Sequence, residues 1–258
     1  MSDITSPNTT PGAVALVGSG EYTDAMNKTD LQLLETLGGP AAARVVLLPI
    51  ASGLETNGPS HWNGMGQRHF TALGVGDICP SLIIDAASAA DPAQLDLLRG
   101  ANFFYFSGGN PQHVIASLRG SPAWDLILSA YQRGAVMAGC SAGAMAMSGY
   151  TITARLSFTN DAISFVPSLG VVPQVIVFPH FDRMMGRLGK LALQTRLLTA
   201  PQGSYPVGID EDTALVRLAP PDTTIGKATW RVIGRQSVTI FWPGTSPQTL
   251  STGEEVEL

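Results

Sequence analysis

The sequence predicts a three-layer α/β/α fold around a mostly parallel central sheet, extended at its C-terminal end by antiparallel strands. Short apolar runs rich in Val, Ile and Phe alternate with longer stretches of helical period, which is the order of βαβ units. Charged residues make up 14% of the chain and hydrophobic residues 45%, against roughly 25% charged in an average soluble domain, so much of the chain must be buried. At 258 residues the chain is long enough for one large α/β domain, and we expect a single domain.

The apolar runs predict strands over residues 13–17, 44–49, 81–84, Phe103–Phe106 and 135–138. Between them, helical spacing predicts helices over 30–37, 61–73, Pro92–Leu98 and 111–131. The last of these breaks in two at Gly120-Ser121-Pro122, because proline opens a helix in its first turn. Right-handed crossovers then place helices on both faces of the sheet. Beyond residue 141, Ala142–Met147 suits a helix, 149–170 reads as irregular, Val175–Phe178 as a buried strand and 183–198 as a helix. From Tyr205 onward a two-residue period over 213–218, 229–233 and 238–241, punctuated by Gly and Pro, predicts the antiparallel extension.

Composition also excludes function classes. The net charge is −5 with no dense Lys/Arg cluster, so the electrostatic footprint of a nucleic-acid binder is missing. The polar first residues lack the basic and apolar regions of a signal peptide, and no apolar run approaches the roughly 18 residues of a membrane span. Two cysteines, Cys79 and Cys140, make no disulfide framework and fit a reducing, cytoplasmic compartment. The four histidines show no metal-ligand spacing, so no metal and no other cofactor is expected.

The segment Gly139-Cys140-Ser141-Ala142-Gly143 follows a predicted strand and opens a predicted helix. Gly-x-Ser-x-Gly in that setting is a nucleophile elbow, in which small neighbours let the backbone turn sharply and lift the serine hydroxyl above the sheet edge. The Ala142 N–H, at the helix start, would then face a developing oxyanion. Cys140 competes as nucleophile, but glycines framing it would have to stand at 138 and 142, where this chain has alanine; a small buried residue under the turn is the better reading. A second oxyanion donor is expected from Ser107-Gly108-Gly109-Asn110-Pro111, with the Gly109 N–H foremost.

A serine hydroxyl needs a base, and histidine serves near neutral pH. His180 ends a buried strand and is the best placed; His61, His69 and His113 read as structural. Three carboxylates compete to orient the imidazole: Asp161, Asp182 and Glu211. Residue chemistry alone leaves all three open.

Taken in order, Gly18-Ser19-Gly20-Glu21, Leu48-Pro49-Ile50-Ala51-Ser52, Ser107 to Asn110, Gly139 to Gly143, Pro179-His180-Phe181 and Gly208 to Ala214 resemble the dipeptidase E and cyanophycinase family of serine peptidases. That family's fold is flavodoxin-like and similar to that of class I glutamine amidotransferases. The resemblance implies a Ser-His-Glu triad, mapped onto Ser141, His180 and Glu211, with Asp161 left as a site-shaping or substrate-binding residue. It also implies substrates that carry aspartate, either dipeptides with N-terminal Asp or β-Asp-Arg units. Arg183 and Arg187, one helical turn apart, are then candidate carboxylate binders, and Asn110 a further substrate contact. Pro179 departs from the cyanophycinase pattern and supplies no N–H, which favours dipeptides. The expected partners are a small peptide substrate and at most a second copy of the chain. An amidase acting through Ser141, a non-catalytic ligand binder, and a nucleotide site at Gly18-Ser19-Gly20 are the alternatives.

Overall fold

The computed structural model describes residues 10–153, 164–188, 200–220 and 227–258. The strands are β1 (Val14–Val17), β2 (Arg44–Leu48), β3 (Asp77–Pro80), β4 (Phe103–Phe106), β5 (Val136–Cys140), β6 (Tyr150–Ile152) and β7 (Phe165–Pro167). They continue with β8 (Val175–Phe178), β9 (Tyr205–Ile209), β10 (Thr213–Arg217), β11 (Thr229–Gly234), β12 (Ser237–Ile240), β13 (Gln248–Ser251) and β14 (Glu255–Glu257). The helices are α1 (Asn27–Glu35), α2 (Gly58–Ala72), α3 (Pro92–Leu98), α4 (Pro111–Leu118), α5 (Pro122–Gln132), α6 (Ala142–Met147) and α7 (Phe181–Leu188).

The main sheet has eight strands in the order β14-β11-β10-β1-β5-β4-β2-β3. Pairing is parallel from β1 through β3 and antiparallel from β1 through β14. Successive side chains of a strand point to opposite faces, and the core divides accordingly. Val14, Leu16, Val46, Leu48, Phe104 and Phe106 pack with α3, α4, α5 and α6 on one face. Ala15, Val17, Val45, Leu47, Phe103 and Tyr105 pack with α1 and α2 on the other. Three of the helices start alike: Asp91, Asn110 and Ser121 accept a backbone N–H of the first turn, each followed by proline.

Four expectations need correction. The edge strand is Asp77–Pro80, not 81–84: an edge strand is not apolar on both faces and tolerates a proline, so the apolar run pointed to the residues that leave the sheet. Leu82 there is exposed and gives its N–H to the Gln94 side chain. The stretch 149–170 is not wholly irregular, since β6 and β7 pair antiparallel across it; three-residue strands are too short for a period to register. The helix expected over 183–198 begins at Phe181, and its expected portion from 189 onward lies outside the described residues. The C-terminal strands do not all extend the main sheet: β10, β11 and β14 do, while β12 and β13 join β9 and β8 in a second, four-stranded sheet. Smaller shifts are those of α1 and α2, which start three residues early, and of β5, which runs on to Cys140 paired with Val17. No helix among the described residues is long and apolar enough to cross a membrane.

Candidate active site

Ser141 follows β5 directly and precedes α6, with φ 50 and ψ −109. A non-glycine residue in that region costs on the order of 1–3 kcal/mol and persists only where its surroundings enforce it. Here the Ser141 N–H donates to the Val17 carbonyl at 2.9 Å. The flanking glycines remove the bulk that would push α6 away: a Cβ at Gly143 would lie 2.4 Å from the Phe106 carbonyl oxygen, and one at Gly139 2.7 Å from the Gly143 carbonyl carbon.

His180 comes from the other sheet, at the end of β8, and also holds a positive φ of 50. Its Nε2 is 3.1 Å from Ser141 Oγ and its Nδ1 is 2.7 Å from Glu211 Oε1. A carboxylate at Nδ1 favours the tautomer with the proton on Nδ1, which leaves Nε2 to accept from the serine hydroxyl. Glu211 follows β9, its side chain only 16% exposed, and its second oxygen lies 2.7 Å from Arg183 Nη2. Asp182 stands behind it, accepting the Glu211 backbone N–H at 3.1 Å. Of the three carboxylates proposed to orient the imidazole, Glu211 touches the ring, Asp182 holds the Glu211 backbone, and Asp161 lies outside the described residues.

Gly109 lies on the loop between β4 and α4, and Ala142 follows Ser141 as the first residue of α6. Neither backbone N–H donates to any group among the described residues. Gly109 has φ 140, and a Cβ there would lie 2.3 Å from the Ala51 carbonyl oxygen. Its neighbour Gly108 is so near the serine that a Cβ on it would be 3.6 Å from Ser141 Cβ. Asn110 is engaged as the cap of α4, accepting the His113 N–H at 3.1 Å, while its own N–H donates to the Ala51 carbonyl at 2.7 Å. Arg183, 68% exposed, sits on Glu211. The side chain of Arg187 lies outside the described residues.

Glu21 is the residue that sequence reading passed over. It is 6% exposed, with Oε1 accepting the Gly108 N–H at 2.9 Å and Oε2 accepting the Cys140 thiol at 2.8 Å. Its one sequence signal was a carboxylate closing the Gly18-Ser19-Gly20 turn. Cys140 is fully buried, and burial, reinforced by the Glu21 charge, pushes its thiol well above the usual range; a protonated, enclosed sulfur is no nucleophile. The glycines at 18 and 20 receive the chain itself, since a Cβ on either would lie 2.2 Å from an oxygen of Asp210 or Asp212 respectively. The other histidines are engaged elsewhere or exposed: His69 bonds Asp30, His113 bonds the Ile84 carbonyl, and His61 faces solvent. Among the described residues no group of three His, Cys, Asp or Glu could hold a metal ion.

Comparison with known proteins places the chain in a family. The chain is 29% identical over 190 residues to a cyanophycinase of Synechococcus elongatus, a match covering 70% of this chain and 55% of that protein. The chain thus spans about half the length of that curated relative. A cyanophycinase of Geminocystis herdmanii is 25% identical over 231 residues, covering 86% of this chain and 81% of that one. The crystal structure of a peptidase from an acI-B1 Actinobacterium superposes with a TM-score of 0.81 at 31% identity, covering 97% of this chain and 98% of its own. A structure described as a candidate peptidase E from Listeria monocytogenes EGD-e shares the fold, with a TM-score of 0.53 at 17% identity over 94% of this chain and 100% of its own. A profile of peptidase family S51 matches residues 14–218, and the chain belongs to that family.

Proposed function

We propose that the chain is a serine-type peptidase that cleaves small peptides next to aspartate through an acyl-enzyme on Ser141. The observation that carries this reading is the unbroken run from Ser141 Oγ to His180 Nε2 at 3.1 Å and from His180 Nδ1 to Glu211 Oε1 at 2.7 Å. As the Ser141 oxygen bonds to the peptide carbonyl carbon, its proton passes to His180 Nε2, and the Glu211 carboxylate stabilises the imidazolium. The carbonyl oxygen, now anionic, accepts from the Gly109 and Ala142 N–H groups. The C–N bond then breaks and His180 returns the proton to the leaving amine. A water enters, gives its proton to His180 and attacks the ester, and Ser141 leaves with the proton restored.

Aspartate selectivity is supported by the resemblance to the dipeptidase E and cyanophycinase group and by the cyanophycinase relatives. Pro179 is buried and offers no N–H beside the base, which favours short Asp-Xaa peptides over a long β-aspartyl chain. The test is labelling with a fluorophosphonate, followed by a panel of Asp-Xaa and β-Asp dipeptides. Labelling should disappear in Ser141→Ala, and Asp-Xaa peptides should be hydrolysed fastest. No labelling of the wild type favours a non-catalytic ligand binder, whereas labelling without peptide cleavage favours an amidase.

A further inference from the structure

The Gly109 and Ala142 N–H groups lie on segments far apart in sequence, one in a loop and one at the start of α6, so something must keep them in common register. Glu21 stands where both segments can be held. One carboxylate oxygen takes the N–H of Gly108, the residue before Gly109. The other takes the thiol of Cys140, two residues before Ala142. Glu21 is 6% exposed, so both bonds form where an unmet polar group is costly, and neither segment can drift without breaking one. Room for this contact is narrow: a Cβ on Gly108 would stand 2.8 Å from Glu21 Oε1. Glu21 itself leaves β1 through the turn at Gly20, whose φ of 84 and closeness to Asp212 fix where the carboxylate emerges.

We infer that Glu21 is a positioning residue that ties the 107–110 loop to the elbow and thereby sets the spacing of the two oxyanion donors. Its two hydrogen bonds go to Gly108 and Cys140 and not to the Ser141 hydroxyl or the His180 ring. The inference rests on the hydrolase reading for its catalytic consequence, but the tie itself can be read without turnover.

Glu21→Ala, Glu21→Gln and Cys140→Ala test it together in the full chain. Hydrogen exchange followed by mass spectrometry should show faster exchange in the peptides containing Gly108 and Ala142 of Glu21→Ala, with distant segments such as β12 and β13 unchanged. Against a cleavable Asp-Xaa peptide, kcat should fall about 10- to 10³-fold, up to the loss of a whole oxyanion donor. KM should stay within about 3-fold, and the midpoint of the pH profile should not move, because the partners of His180 are untouched. Glu21→Gln keeps an oxygen for Gly108 and should recover most of the rate; Cys140→Ala should lose less than Glu21→Ala. Unchanged exchange at both segments, or a kcat equal to wild type, overturns the tie. If Glu21→Ala does not fold, Glu21→Gln must stay near the wild-type rate, and a defect as deep as that of Ser141→Ala overturns it equally. A wild type without turnover whose Glu21→Ala variant still loosens both segments would count against the hydrolase reading alone.

Discussion

Ser141 and His180 share an unusual backbone state, φ 50 at each, and each ends a buried strand. The serine was legible because its chemistry demands small neighbours at fixed offsets, and the histidine because only one of four stood at the end of an apolar run. The acid was not legible from residue chemistry, since Asp182 and Glu211 both carry a carboxylate within reach on paper. What separates them is direction: Asp182 sits in the first turn of α7 and turns to the Glu211 backbone N–H, while Glu211 leaves β9 facing the ring. Glu211→Gln should therefore lower kcat by about 10⁴-fold, the scale of a mis-set tautomer, while Asp182→Asn should cost no more than about 10-fold. The reverse ranking in steady-state assays would assign the orienting role to Asp182. Glu21 was hidden for another reason: its thiol partner lies 119 residues away, a contact no local pattern encodes.

Among the elements, segments buried on both faces were readable, and the edge strand and the three-residue strands were not. The strands β1, β2, β4 and β5 lie buried on both faces and announce themselves as continuous apolar runs. The edge strand β3 and the short pair β6 and β7 carry no such run. Nor does any helix pattern reveal what fastens α1 to α2, which is a buried bond of 2.7 Å between Asp30 and His69. Burial holds the Asp30 carboxyl above its ordinary range, and His69 pulls against that shift through its hydrogen bond and its charge. In His69→Leu both opposing influences vanish, and the folded-state value rises further above the unfolded one. A group so raised contributes full stability below its unfolded value and loses it as pH climbs through the folded one. His69→Leu should thus lose about 3–5 kcal/mol near neutral pH, a deficit that shrinks on acidification. Urea titrations at several pH values measure it, and a deficit that grows in acid would contradict the account.

Across the molecule, chemistry and anchoring sit at opposite ends of the parallel strands. Ser141 bonds the end of β1 at Val17, whereas Arg217 pairs with its start at Val14. Arg217 is 5% exposed. It donates to the Gly12 carbonyl at 2.8 Å and the Tyr131 hydroxyl at 2.7 Å, and it lies near the Tyr131 and Trp230 rings. Arg217→Met strips two charge-assisted bonds and should cost about 2–4 kcal/mol while leaving kcat unchanged. An equal loss of turnover in the folded variant would show that the two ends are coupled. The sheet count escaped the sequence because which sheet β10 and β12 each enter depends on pairing partners remote in the chain.

The hydroxyl rides on one sheet and the imidazole on another, joined by a single contact of 3.1 Å. Each sheet keeps its own ladder whether or not that contact is made. A change of one ångström in how the two sheets pack would therefore leave each ladder paired, yet cost on the order of 10²-fold in turnover.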